Sequence, residues 1–142
     1  MVRRSMLYFA EVDYKTVLHL KDVDGLEDSC LFHCEQMIEK LLKEILLLKK
    51  GERDFKHSIL KLVDYLNLKS ELSEYLDLMQ DLQDSYFERR YEVFNYVEYS
   101  REEFIILIEQ SIKLYKILLD MINSLRYKGP NNLSNSSIFG GN

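Results

Sequence analysis

The chain has 142 residues, the size of one domain that can bury a single continuous core. Hydrophobic residues make up 46% of it and charged residues 30%, which is typical of a globular protein and excludes an intrinsically disordered one. The formal net charge of -5 excludes a broadly basic surface for nucleic acid, so any contact with phosphates must be local.

No uninterrupted apolar run approaches the roughly 18–20 residues that a membrane span needs. The basic start at Arg3 and Arg4 is followed by Glu11, Asp13 and Lys15, which interrupt the apolar region that a signal peptide requires. We therefore expect a cytoplasmic protein without a membrane partner.

Apolar residues recur every three or four positions in five segments, and no proline precedes Pro130. This spacing predicts helices, because only a helical period places such residues on one face. The five segments are 7–17, 31–48, 57–66, 72–86 and 104–125. The predicted fold class is all-α, an up-and-down bundle of four to five antiparallel helices. The composition changes after Lys128, so we predict one helical domain over 1–128 and a flexible tail over 129–142.

The joints between the segments contain residues that favour helix ends. Gly51 suits a helix C-terminus, and the pair Ser100 and Glu103 is typical of a capping box at a helix N-terminus. Asp28 or Ser29 is predicted to cap the second helix.

Two cysteines, Cys30 and Cys34, lie one helical turn apart, which is a poor geometry for a disulfide. We interpret them as small core residues. The three histidines are far apart in sequence, and no metal-ligand spacing is present, so the sequence predicts neither a metal nor a cofactor.

A polar stripe runs along the second helix beside its apolar face. An imidazole, an amide and two ammonium groups in a row can bind a phosphate or a base edge. The alternative is a solvated helix face. The residues of this candidate nucleotide or nucleic-acid site are His33, Gln36, Lys40 and Lys43.

Two further basic points extend this candidate site. His57 lies in the locally basic turn after the second helix, and Arg89 and Arg90 lie in the fourth helical segment. In an antiparallel bundle they would face a shared cleft. Equally, these cations would cap helix ends or pair with neighbouring glutamates.

The fourth segment carries the opposite charge on one face. Such a face repels phosphates and is either a plain solvated surface or a surface for a basic protein partner. The candidate partner-binding residues are Glu74, Asp77, Asp81 and Asp84.

Four patterns resemble the HEPN family of small helical domains over roughly residues 6–128. They are Tyr8-x-x-Glu11-x-Asp13-Tyr14, Phe32-His33-x-Glu35-Gln36-x-x-Glu39-Lys40-x-x-Lys43, His57-Ser58-x-Leu60 and Arg90-Tyr91. The resemblance implies an α-helical bundle, usually dimeric. Some members of the family are ribonucleases, often toxins of toxin–antitoxin pairs with a small nucleotidyltransferase. Others lack activity and bind nucleotides or that partner enzyme.

The ribonuclease members of this family carry an Arg and a His separated by four to six residues in the C-terminal helical region. Here the last histidine is His57, and only three residues separate it from Arg53. Without an imidazole in the fourth or fifth helix, a general base for the 2′-hydroxyl is missing. We therefore favour a non-catalytic binding module for a nucleotide, a nucleic acid or a nucleotidyltransferase partner. The alternatives are a divergent, metal-independent ribonuclease that uses His57 or His33, and a protein-interaction adaptor that uses the acidic fourth helix.

The second helix has more apolar residues than one neighbouring helix would cover. Met37, Leu42, Leu46 and Leu47 lie off its main apolar line. An exposed apolar patch favours a partner that covers it, and a self-complementary patch is most often closed by two-fold pairing. We therefore predict a homodimer, with burial between helices of the same chain as the alternative explanation.

Overall fold

The computed structural model describes residues 4–56, 58–91 and 99–127, and within 87–91 it describes the backbone only. These residues form five α-helices and one 3₁₀ turn, and they contain no strand. The elements are α1 (Met6–Leu20), α2 (Glu27–Lys50), α3 (Ile59–Tyr65), the 3₁₀ turn Ser73–Tyr75, α4 (Leu76–Tyr91) and α5 (Arg101–Tyr127). The all-α prediction is confirmed. The predicted tail lies outside the described residues.

Helix α2 lies at the centre of the bundle and packs against α1, α4 and α5. For this reason Met37, Leu42 and Leu46 are fully buried within the chain, and Leu47 is half-buried. The argument that these residues form a patch for a second chain is therefore wrong, although the homodimer itself stays a prediction. Leu48, predicted on the buried line, is 38% exposed in the last turn of the helix.

Helices α2 and α5 run in the same direction. Arg101, at the start of α5, donates a hydrogen bond to Glu27 at the start of α2, with 2.9 Å between Nη1 and Oε2. Arg126, near the end of α5, donates to Glu44, with 3.4 Å between Nη2 and Oε2. This arrangement is what an up-and-down bundle requires of its second and fourth long helices.

Two predicted helix ends are confirmed. At α5, Ser100 N donates to Glu103 Oε1 at 2.9 Å, and Glu103 N donates to Ser100 Oγ at 3.1 Å, which is a reciprocal capping box. At the end of α2, Gly51 adopts a φ of 67°, a left-handed conformation that glycine tolerates without strain, and its N–H donates to Leu47 O.

The prediction that Asp28 or Ser29 caps α2 is wrong. The helix begins at Glu27, so both residues lie inside its first turn, and the capping position is held by Leu26, whose side chain cannot accept a hydrogen bond. The Glu27 carboxylate instead accepts from Gly25 N at 2.8 Å and fixes the turn before the helix. The negative charges of Glu27 and Asp28 stabilise the first turn through the helix dipole.

The third and fourth helices begin later than predicted. Ser58 caps α3 by accepting a hydrogen bond from Lys61 N, so that the helix begins at Ile59 and not at 57. The start of the fourth segment forms the 3₁₀ turn Ser73–Tyr75, and the α-helix follows from Leu76.

No helix in the described part of the chain is long and apolar enough to cross a membrane.

Candidate functional site

Asp13 organises the polar stripe of α2 from the opposite helix. Asp13 lies on α1 and is only 6% exposed, and its carboxylate contacts two residues of the predicted site. Asp13 Oδ1 lies 2.8 Å from His33 Nδ1, and Asp13 Oδ2 accepts a hydrogen bond from Lys40 Nζ. His33 and Lys40 are two turns apart on α2, so one carboxylate holds both in fixed positions across the α1–α2 interface.

The contact with Asp13 determines the hydrogen-bonding role of His33. An ionised carboxylate only accepts hydrogen bonds, so Nδ1 carries the proton that His33 donates to Asp13. The other ring nitrogen, Nε2, is then an acceptor in neutral imidazole and a donor in imidazolium. Because the side chain is 29% exposed, His33 can present this nitrogen to a ligand.

The remaining two predicted residues of the stripe, Gln36 and Lys43, are each held by a neighbouring glutamate. Gln36 Nε2 donates to Glu35 Oε1 at 2.8 Å. Lys43 Nζ donates to Glu39 Oε2 at 2.7 Å, the i,i+4 pair that the spacing favours. The stripe is therefore a row of half-buried polar groups in which each predicted member has a carboxylate partner.

Glu35 is a buried acid next to this row. Glu35 is 4% exposed, and its burial, together with the charge of the nearby Glu39 carboxylate, raises the pKa of Glu35 to about 8. A carboxyl group with this pKa is mainly protonated near neutral pH and then acts as a hydrogen-bond donor as well as an acceptor. The row thus contains less negative charge at neutral pH than its sequence suggests.

The sequence prediction did not include Asp13 and Glu35 among the candidate site residues. A signal for Asp13 was present, because Ala10, Asp13 and Val17 lie on one face of α1 and all three are buried. A carboxylate on a buried helix face requires a partner, and such a position indicates a structural or functional ion pair. Glu35 gave no comparable signal.

The described part of the structure does not include the side chains of three predicted basic residues. His57 lies outside the described residues, and Arg89 and Arg90 belong to α4 in a stretch whose side chains are also outside them. Their proposed role therefore stays a prediction.

The acidic residues of the fourth segment fall on two elements. Glu74 belongs to the 3₁₀ turn, and Asp77, Asp81 and Asp84 belong to α4. Burial, followed by the charges of Asp84 and Asp77, raises the pKa of the half-buried Asp81, while the other three carboxylates are exposed. The negative charges of Asp77 and Asp84 therefore act on Asp81, as expected for carboxylates on one face of a helix.

Cys30 and Cys34 are buried free thiols, as predicted. Cys30 Sγ lies 3.8 Å from the carbonyl oxygen of Val17, where the small side chain lets α1 approach α2. Within the ranges that the structure describes, no three His, Cys, Asp or Glu side chains are placed to hold a metal ion.

A family model for the HEPN domain matches residues 4–122 of the chain. No curated protein matches the chain, and no solved structure does. The matched range begins just before α1 and ends in the last two turns of α5, so it includes the contacts of Asp13 with His33 and Lys40. The protein therefore belongs to the HEPN domain family.

Proposed function

We propose that this HEPN domain is a non-catalytic module that binds a nucleotide or a single-stranded nucleic acid through the stripe of His33, Gln36, Lys40 and Lys43. The observation that carries the proposal is the hold of Asp13 on both His33 and Lys40. A carboxylate that fixes two donors before the ligand arrives reduces the conformational entropy that binding would cost.

The charge of the stripe is compatible with a phosphate ligand. Lys40 and Lys43 supply two positive charges, which Asp13 and Glu39 balance, and Glu35 adds little negative charge while it is protonated. The charges of Lys40, Lys43, Asp13 and Glu39 sum to zero, so the row does not repel a phosphate group.

A substitution at Gln36 tests this proposal without removing an ion pair. Gln36→Glu places a new carboxylate in the stripe, so binding of a labelled single-stranded RNA or nucleoside triphosphate should weaken by about tenfold, through repulsion and the loss of an amide donor. Fluorescence anisotropy at low and at physiological salt measures the effect. Gln110→Glu makes the same chemical change at an exposed position of α5 and should leave affinity nearly unchanged. Equal affinities of the two variants would contradict the proposal.

A second candidate function, metal-independent ribonuclease, is favoured by one specific contact. The hydrogen bond from His33 Nδ1 to Asp13 orients the ring and leaves Nε2 as a proton acceptor, which is the arrangement of a general base. Lys40, held by the same Asp13, would provide a positive charge close to the reacting phosphate. This candidate lacks the Arg and His spacing of the family's ribonucleases.

We expect purified protein to show no cleavage of unstructured RNA above background at neutral pH, because that Arg–His pair is missing. Gel electrophoresis of end-labelled RNA measures cleavage directly. Cleavage that His33→Gln abolishes and His57→Ala leaves intact would instead establish the ribonuclease with His33 as its base. Cleavage lost only in His57→Ala would assign the base to His57.

The resemblance also suggests a nucleotidyltransferase as a protein partner. Co-expression with the product of a neighbouring nucleotidyltransferase gene, followed by purification through a tag on one protein, tests this association.

A further inference from the structure

One end of the bundle contains a cavity that the proposed binding stripe does not explain. It has a volume of about 480 Å³ and lies where α1 begins and where α2 and α5 end. A volume of this size is within the range of small-molecule sites. The lining residues that matter for its chemistry are Arg4, Ser5, Lys43, Glu44, Arg53 and Arg126.

Four of these residues are cations, and they come from four separate segments. Arg4 precedes α1, Lys43 belongs to α2, Arg53 belongs to the loop between α2 and α3, and Arg126 belongs to α5. Among the lining residues that the structure describes, Glu44 is the one acidic residue, so this lining carries a net positive charge in a chain whose net charge is -5. Such convergence concentrates positive potential and attracts anions.

Two of the cations are already paired with glutamates. Lys43 contacts Glu39, and Arg126 contacts the buried carboxylate of Glu44 at 3.4 Å. Within the part of the chain that is described, Arg4 and Arg53 have no acidic group within 4.0 Å. The guanidinium of Arg4 instead lies 4.3 Å from the centre of the Tyr8 ring, which holds it beside the cavity.

The helix ends at this cavity contribute partial charges of both signs. The first turn of α1, which Ser5 caps, presents the positive end of a helix dipole. The ends of α2 and α5 carry partial negative charge, but their last turns contain Lys49, Lys50 and Arg126, which offset it. The arginines therefore determine the sign of the potential.

We propose that this cavity binds an oligophosphate, such as the phosphate chain of a nucleoside triphosphate or the 5′-triphosphate end of an RNA. The guanidinium group matches phosphate with two parallel hydrogen bonds, and separate arginines suit a ligand with several phosphate groups. A ligand with a single carboxylate group would pair with only one of these arginines. The site shares only Lys43 with the proposed stripe on α2, so the two proposals are tested by different substitutions.

Calorimetric titration of the full chain with tripolyphosphate, pyrophosphate and orthophosphate tests the site. We expect affinity to rise with the number of phosphate groups. Arg53→Ser should weaken tripolyphosphate binding by about tenfold, because it removes a guanidinium group from the lining. Lys56→Ser, which removes an exposed cation from the same loop but not from the lining, should change affinity less than twofold.

Arg4→Ser is a second variant that removes a cation from the lining and should also weaken tripolyphosphate binding. Circular dichroism verifies that each variant keeps its helical content.

ATP binding that is as tight as tripolyphosphate binding, with no binding of adenosine, would identify free nucleotides as sufficient ligands. Preference for a 5′-triphosphate RNA over a 5′-hydroxyl RNA would identify an RNA end. No binding of tripolyphosphate, or equal losses in Arg53→Ser and Lys56→Ser, would overturn the proposal. Tripolyphosphate binding that Arg53→Ser weakens and Lys56→Ser does not would support the cavity whether or not Gln36→Glu changes RNA binding, so failure of the α2 stripe and failure of this cavity are distinguishable.

Discussion

Replacement of Asp13 by alanine is expected to lower the free energy of unfolding by roughly 3 kcal/mol, the range found when one partner of a buried ion pair is removed. Asp13 is 6% exposed, and its carboxylate is contacted by both His33 and Lys40. Without it, the Lys40 ammonium, whose side chain is only 25% exposed, keeps its desolvation cost and loses its nearest negative charge. Urea denaturation followed by circular dichroism measures the change.

Glu11 provides the matched control on the same helix. Glu11→Ala removes a carboxylate whose side chain is 57% exposed and which lies 3.9 Å from the exposed ammonium of Lys15. Exposed pairs of this kind contribute between about 0 and 1 kcal/mol, so this variant should be almost as stable as the parent chain. If the Asp13 and Glu11 variants lose the same stability, Asp13 does not hold the α1–α2 interface in the way described.

The Asp13 variant also has a functional consequence. Release of His33 and Lys40 should weaken RNA or nucleotide binding even under conditions where the variant remains folded. Binding that is unaffected in the folded variant would separate the ion pair from the proposed site.

A second large effect is expected at Glu35, as a change in how stability depends on pH. The ordinary pKa of this carboxyl group is 4.5, and burial raises it to about 8 in the folded protein. Below pH 4.5 the group is protonated in both the folded and the unfolded states, so its ionisation does not lower the free energy of unfolding. As pH rises from 4.5 to about 8, the unfolded chain releases the proton before the folded chain does, so stability falls. Above about pH 8 the loss is complete.

Glu35→Gln replaces the carboxyl group by a neutral group of the same shape and should remove this pH dependence. Near pH 5 the variant and the parent chain should have similar stability. Near pH 8.5 the variant should be more stable by roughly 2–3 kcal/mol, which is less than the full linkage value because local relaxation reduces the cost of ionisation. Comparing the two pH values cancels any pH-independent effect of the substitution.

Denaturant unfolding across this pH range gives the measurement. Glu109→Gln makes the same change at an exposed position of α5 and should show the same stability difference at both pH values. A Glu35→Gln variant whose advantage does not grow between the two pH values would show that the carboxyl group is already ionised in the fold.

Both effects originate at positions where the helical period buries a residue and that residue is an acid. The period of apolar residues predicted the core line of α2, and Cys34, Ile38, Leu41 and Ile45 on that line are buried. Asp13 and Glu35 occupy positions that are just as buried, but each carries an acid. Periodicity predicts which face is covered and not how a charge on that face is satisfied.

The helix ends show the same division. The reciprocal bonds of Ser100 and Glu103 and the left-handed Gly51 were predictable because each depends on residues within one turn of the chain. The start of α2 was not, since Glu27 accepts a hydrogen bond from Gly25 and also pairs with Arg101, which is 74 residues away. Long-range partners of this kind are not visible in a local window.

The sequence by itself determined the helical class, the approximate position of each helix and the resemblance to the HEPN family, because these depend on spacing and local motifs. Only the tertiary structure decided that Asp13 holds His33 and Lys40, and that Arg4, Arg53 and Arg126 line one cavity. It also decided that the apolar surplus of α2 is buried within the chain, since α1, α4 and α5 all pack against it. The physical reason is that side chains from distant segments acquire common partners only when the helices pack, and packing directions are set by the bundle as a whole.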